Sequence, residues 1–405
     1  MSPDDRVSNV ARVRVNRRAV DRVRSGHPWI FSSDVVDRGA AEPGDAVTVL
    51  DPASRPLGTA HYSSTSQICL RMLSERLVPV DHEFLAERLA EAAAWRERVV
   101  TDTTAYRLVH GEGDRLPGLV IDRYGDYFTI QTLSQGMDKL KHDIAALLVE
   151  RFGALGVIAR NDVAVRKHEG LPPESAVLSG EIPETVPIHM NGLRLEADLA
   201  RGQKTGVYLD QRENYLAAAQ YARGHALDCF TSTGGFALHM ASRCESVEAV
   251  DSSSTALERV RANAQANGIG NISFREADLF DLLSGYASAR RQFATVVLDP
   301  PAFAKSRASL EGAARGYKDI NLRALRLLGP GGILITCSCS HHLSEAMLLE
   351  LVAEAALDAG RTLRVAERRT QARDHPILLT VPETHYLKCL ILEVVGQRAQ
   401  GTSVW

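Results

Sequence analysis

Phe293-Ala294-Thr295-Val296-Val297-Leu298-Asp299-Pro300-Pro301 decides how the second half of this chain is read. A short apolar run closed by turn chemistry is the pattern of a strand buried on both faces of a parallel sheet. The acid and the two prolines mark the loop at its carboxyl end. A second such run, Gly332 to Thr336, leads into Cys337-Ser338-Cys339-Ser340. As strands of one sheet, the two runs release an acid and a thiol at the same edge.

Working outward, strands and helices alternate from about His189. His225 to Phe230, Ser246 to Asp251 and Ile272 to Glu276 read as further strands. Ser254 to Asn267 carries Leu257, Val260 and Ala264 at helical spacing and ends at Asn267-Gly268. Tyr317 to Leu328 carries Ile320, Ala324, Leu327 and Leu328 and stops at Gly329-Pro330-Gly331-Gly332. This order predicts a doubly wound, Rossmann-like α/β sheet with ligands outside the carboxyl ends of its strands. Thr362 to Ala366 and His385 to Val394 add two strands, the second after an excursion through Pro376 and Pro382. Seven strands with that finish fit a class I methyltransferase sheet better than a dehydrogenase.

The N-terminal part differs. Residues 8 to 76 read as short strands with Gly/Pro turns, the texture of a small barrel. Arg12, Arg14, Arg17, Arg18, Arg22 and Arg24 stand there against only Asp21. The cluster is either a solvated face or a phosphate-contacting stripe. Asp81 to Val100 and Lys139 to Phe152 read as helices around a hairpin at Tyr124-Gly125-Asp126, with a strand at Gly156 to Arg160: a central α+β domain. Leu171 to Pro187 reads as linker. The division is 1–76, 77–188 and 189–405.

Composition bounds the rest. The chain has 405 residues, 45% hydrophobic and 24% charged, enough for two or three ordinary globular domains. A net charge of −3 is not the global signature of a nucleic-acid binder, so any basic footprint is local. No run spans a bilayer and the N-terminus lacks a secretion signal's apolar stretch, so a cytoplasmic protein is expected. Six cysteines in this length are not a disulfide framework. Cys337-x-Cys339 is too tight for a zinc knuckle, and no metal is expected.

The cofactor reading rests on strand ends. Phe230-Thr231-Ser232-Thr233-Gly234-Gly235 closes one strand and opens a helix, with glycines that admit close backbone approach. It is not GxGxxG, so the dinucleotide fingerprint is absent. Asp251 can accept two ribose hydroxyls, and Asp278 stands where an adenine amino group can be met; each can equally be a helix N-cap. With Asp299, the ordered set fits S-adenosylmethionine. The loop of Tyr208 and Gln211 can cover a cofactor or be an exposed turn.

Asp299-Pro300-Pro301-Ala302-Phe303 presents a carboxylate and carbonyls to a planar base edge, since prolines remove competing N–H donors. Such loops serve methylation of base amino groups and of ring carbons. Cys339 discriminates: carbon 5 of cytosine attacks a methylsulfonium only after a thiolate adds to carbon 6. The bland alternative is a small buried Cys at a strand end. Lys305, Arg315, Tyr317 and Lys318 follow the Asp299 loop and can meet RNA or simply begin a helix.

Gly26-His27-Pro28-Trp29-Ile30-Phe31, Gly202 to Arg212, Thr233-Gly234-Gly235-Phe236, Asp299-Pro300-Pro301, Arg315 to Asn321 and Ser338-Cys339-Ser340 occur in order over essentially the whole chain. Together they resemble the RlmI-type 23S rRNA (cytosine-C5) methyltransferases of bacteria. The resemblance implies an N-terminal PUA domain, a central α+β domain and a C-terminal S-adenosylmethionine domain. It also implies Cys339 as nucleophile, 23S ribosomal RNA as partner and a homodimer. Many RNA cytosine methyltransferases carry a second Cys after the Asp-Pro dipeptide. Here Pro301 and Ala302 stand there, so another base must remove the carbon-5 proton. Methylation of an exocyclic base nitrogen, a nicotinamide dehydrogenase and a non-catalytic RNA adaptor are the competing readings.

Overall fold

The computed structural model describes residues 10–202, 206–303 and 310–397. The chain divides into two compact units. One takes Met1–His189, Ala197–Leu209 and Arg373–Thr384; the other takes Met190–Glu196, Asp210–Ala372 and His385–Trp405.

The first unit begins with β1 (Arg12–Val15), α1 (Arg17–Arg24), β2 (Trp29–Phe31), β3 (Val35–Asp37), β4 (Ala46–Leu50), β5 (Pro56–Tyr62) and β6 (Ile68–Ser74). These strands form a six-stranded sheet in the order β2-β6-β5-β4-β1-β3. The Asn16 side chain caps α1 by accepting from the Ala19 N–H, and Ala19, Val20 and Val23 face the core. Its arginines Arg17, Arg18 and Arg24 are thereby turned outward and exposed; on β1, Arg12 is exposed and Arg14 half-buried. Arg22 is the exception, bound to buried Asp34 at 2.6 Å. Trp29 is half-buried, and its indole N–H donates to Glu112 at 2.8 Å.

There follow α2 (His82–Val99), β7 (Ala105–His110), β8 (Leu119–Tyr124), β9 (Tyr127–Thr132), α3 (Gln135–Lys139), α4 (Lys141–Phe152), β10 (Gly156–Arg160) and β11 (Ser175–Gly180). The helix expected over Lys139 to Phe152 is α4, which begins at Lys141 after the short α3 and Leu140. Part of the stretch read as linker is the edge strand β11, antiparallel to β10 in a five-stranded sheet β11-β10-β9-β8-β7. The segment Arg373–Thr384 packs in this unit through buried polar groups. Fully buried Arg96 donates to the Asp374 carbonyl at 2.7 Å, and the Arg107 backbone N–H donates to the Asp374 carboxylate at 2.9 Å.

After the hairpin strands β12 (Val186–Met190) and β13 (Leu193–Ala197) comes the alternating region. It comprises α5 (Arg212–Tyr221), β14 (His225–Cys229), α6 (Gly235–Met240), β15 (Ser246–Asp251), α7 (Ser254–Ala266), β16 (Ile272–Glu276), α8 (Leu279–Ser288) and β17 (Phe293–Leu298). It closes with α9 (Leu310–Arg326), β18 (Leu328–Ser338), α10 (Glu345–Asp358), β19 (Arg361–Arg369) and β20 (Lys388–Gln397). The sheet has seven strands in the order β16-β15-β14-β17-β18-β20-β19, the first five parallel and the last two antiparallel to their neighbours. This is the doubly wound sheet the sequence predicts. The order reverses between β14 and β17, which opens a crevice at their carboxyl ends. The apolar runs are central strands: Val296, Val297, Leu298, Leu334 and Ile335 are all fully buried.

Candidate active site

Register places the chemistry. Cys229 of β14 stands beside Leu298 of β17, and Leu298 beside Thr336 of β18. One row therefore crosses three adjacent strands near their carboxyl ends. Asp299 lies one residue past that row, just beyond β17, and Cys339 three residues past it, just beyond β18, so acid and thiol leave the same edge. The two sulfurs of the Cys337-x-Cys339 pair have opposite settings. Cys337 is still in the strand, fully buried and opposite Cys389 of β20. Burial, with Cys389 beside it, pushes its thiol well above the ordinary range. Cys339 lies beyond the strand and is half-buried.

The loop after β14 is wound tightly. Phe230, Ser232 and Gly234 all have positive φ, at 61°, 49° and 86°. For the first two this costs on the order of 1–3 kcal/mol each, and such strain persists where surroundings enforce it. Thr231 N–H donates to Val250 O at 2.9 Å and Ser232 N–H to the Asp251 carboxylate at 2.9 Å. Ser253 N–H takes the other Asp251 oxygen at 3.0 Å. The glycines first admit the protein itself: a Cβ on Gly235 would lie 2.2 Å from the Tyr215 ring, and one on Gly234 2.6 Å from Val260.

Asp228 sits beneath this loop. One of its oxygens accepts from the Thr231 hydroxyl at 2.6 Å and from Ala237 N–H at 3.0 Å. The other is buried with no hydrogen-bond partner among the described residues. Burial, reinforced by Asp299 and Asp251, pushes the carboxyl up to about 7. Gln211, also buried, donates to Asp299 at 3.1 Å while its carbonyl accepts from Asn214 at 2.6 Å.

The other predicted residues fall in different places. Asp278 is exposed and caps α8, accepting from Phe280 and Asp281 N–H. Pro300 is buried, and Pro301 is exposed beside it. Phe303 packs its ring 4.8 Å from Tyr317 and 6.3 Å from Phe280. Tyr317 is fully buried, and its hydroxyl lies 2.9 Å from Ser338 Oγ and 3.1 Å from Ser340 Oγ, under the Cys339 turn. Arg315 is exposed and paired with Glu311. Lys318 pairs with Glu354 and Asp358 in the last turns of α10, the end farthest from Cys339. Tyr208 is half-buried and belongs to the first unit. Lys305 lies outside the described residues, as do Gln203, Lys204 and Thr205.

Two residues at this edge escaped the sequence reading. Lys388 opens β20 opposite Ser338, is 3% exposed, and donates to Ser340 O at 2.6 Å and Tyr386 O at 2.8 Å. Tyr386 donates to Asp210 at 2.7 Å and stacks a tilted ring 5.5 Å from His341. The one signal was a charge inside the apolar run Leu387 to Leu392.

Residues 155–391 match the family model of S-adenosylmethionine-dependent methyltransferases, and residues 13–75 that of a PUA-like domain. Ribosomal RNA large subunit methyltransferase I of Shewanella denitrificans is 41% identical over 378 residues, covering 91% of this chain and 95% of its own. The protein of that name from Shewanella amazonensis is 42% identical over 377 residues, with coverage of 91% and 95%. The chain belongs to this methyltransferase family. Among solved structures, a chain provisionally described as a SAM-dependent methyltransferase from Streptococcus mutans superimposes with a TM-score of 0.81 at 21% identity, over 95% of this chain and 100% of its own. That likeness carries the fold.

The methyltransferase's donor is S-adenosylmethionine, and the strand-end residues fit it. Asp228, Asp251 and Asp299 gather negative charge around one loop, with a buried Asp228 oxygen left over. That leftover Asp228 oxygen suits a cationic ligand, and the donor carries a sulfonium and an ammonium. Asp251, fixed by two backbone N–H bonds, keeps a lone pair on each oxygen for ribose hydroxyls. No described helix is long and apolar enough to cross a membrane.

Proposed function

We propose that this methyltransferase forms 5-methylcytosine in 23S ribosomal RNA, with Cys339 as covalent nucleophile and Asp299 as the group that meets the base. One observation carries the reading: Cys339 is only half-buried past β18, next to the strand that leads into Asp299, while Cys337 is sealed in the core. The relatives' printed name, at 41–42% identity, supports ribosomal RNA as substrate. Exposed Arg12, Arg17, Arg18 and Arg24 on the PUA-like barrel supply a cationic face for phosphates. The three-part division at 76 and 188 then separates RNA binding from chemistry, in a cytoplasmic enzyme.

In this mechanism the Cys339 thiolate adds to carbon 6 of cytosine, and the electron pair of the 5,6 double bond moves into an enamine. Asp299, oriented by Gln211, shares a proton with the N3 edge and so stabilises the adduct. S-adenosylmethionine supplies an electrophilic methyl group at carbon 5. Removal of the carbon-5 proton by a base then re-forms the double bond and expels the Cys339 thiolate. Pro300 and Pro301 hold the loop without competing N–H donors, and Phe303 offers a ring for a stacked base. Gly234, Gly235, Phe230, Thr231 and Ser232 shape the donor's side.

The test is to incubate wild type and Cys339→Ala with donor and unmodified ribosomal RNA, and to map the methyl group by mass spectrometry. A carbon-5 methyl lost in the variant supports the reading. Methylation at an exocyclic nitrogen, or unchanged in the variant, overturns it.

A further inference from the structure

A thiol with the ordinary pKa of about 8.5 is only a few per cent thiolate at neutral pH. A Cys339 nucleophile therefore needs a positive charge close by. Among the described residues, the charged groups around the turn are few. Glu345 opens α10 and is tied to Arg368 of β19. Asp210 is engaged by Tyr386, whose ring faces His341. Tyr317 of α9 bonds Ser338 and Ser340, and burial raises its phenol further, so it stays neutral. Cys337 and Cys389 are buried in the strands below. Among the described residues, Lys388 is the remaining cation.

Its placement is unusual. Lys388 lies on the last strand of the sheet, opposite Ser338, with its side chain almost wholly inside the protein. Two of its three donors are spent on the carbonyls of Ser340 and Tyr386, at 2.6 and 2.8 Å. The first of these carbonyls belongs to the residue directly after Cys339. Burying an ammonium is costly unless something nearby requires the charge.

We propose that Lys388 is a positioning residue for Cys339: its ammonium clamps the Ser340 carbonyl of the turn and supplies the counter-charge that holds the sulfur as a thiolate. This rests on the reading of Cys339 as nucleophile. Burial draws Lys388 down to about 8, while Cys339 and Glu345 pull it back up, so at pH 7 the side chain remains mostly charged. The counter-charge is lost as pH rises through about 8.

The experiment is the pH profile of Cys339 alkylation by iodoacetamide, read by peptide mass spectrometry on the full chain without RNA. Lys388→Met is expected to raise the apparent pKa of Cys339 by about one unit or more and to slow alkylation at pH 7 about tenfold, while Lys388→Arg stays near wild type. A purely structural lysine would leave the profile unmoved, and an unshifted profile in a cooperatively melting Lys388→Met chain overturns the proposal. Should that variant not fold, wild type decides. A Cys339 apparent pKa at or above about 8.5 contradicts the counter-charge, and one clearly below it supports it. Methyl transfer by Cys339→Ala is a separate assay, so failure of the nucleophile reading and failure of the lysine's role are distinguishable.

Discussion

Gln211 Nε2 donates to Asp299 Oδ2 at 3.1 Å, and the Gln211 carbonyl is itself fixed by Asn214. The amide cannot turn over without losing both bonds, so the Asp299 carboxylate is held in one orientation. Gln211→Leu should leave folding largely intact but lose roughly 1–3 kcal/mol of transition-state stabilisation, about five- to 150-fold in turnover. Gln211→Glu should do worse, since it sets a second carboxylate against Asp299. Steady-state methyl transfer at saturating donor measures both.

Asp228 predicts a pH signature. Its folded value of about 7 lies above the unfolded 3.8, so the native state binds more protons between those limits. Stability should therefore fall as pH rises from about 4 to about 7, and Asp228→Asn should lack that part of the slope. A bound cation favours the ionised carboxylate. Donor binding near pH 6 should then release protons in wild type and not in the variant, as calorimetry in buffers of different ionisation enthalpy would detect.

Tyr317→Phe removes the hydroxyl shared by Ser338 and Ser340 beneath the Cys339 turn. Two buried serine hydroxyls lose a partner, at a cost of about 1–3 kcal/mol. Denaturant unfolding should show that loss. Methyl transfer should drop by more than donor affinity, because the turn lies on the nucleophile's side of the site.

Fold and site were legible to different degrees for physical reasons. The central strands could be read because both faces are buried, so Phe293 to Leu298 and Gly332 to Thr336 are nearly pure apolar runs. Asp299 and Cys339 followed from where those runs stop. β11 was missed because it is an edge strand of mixed exposure flanked by prolines, which reads as linker. Lys388 could not be placed from spacing. It reaches the Cys339 turn only because the last strand returns antiparallel beside β18, a long-range pairing that no local pattern encodes. Asp374 and His375 were hidden likewise, inside the excursion through Pro376 and Pro382, where both are nonetheless buried. Asp278 shows why strand ends read ambiguously. The same residue type that can meet a ligand also caps a helix, and there it does cap one.

The most direct measurement is covalent trapping on ribosomal RNA containing 5-azacytosine, in the presence of the methyl donor. Nitrogen at position 5 carries no proton for a base to remove after methyl transfer, so a sulfur–carbon 6 bond, once made, persists. The account predicts a denaturant-resistant protein–RNA adduct whose attachment maps to Cys339 and which vanishes in Cys339→Ala. No adduct with active wild-type enzyme, or an equal adduct in the variant, would contradict it.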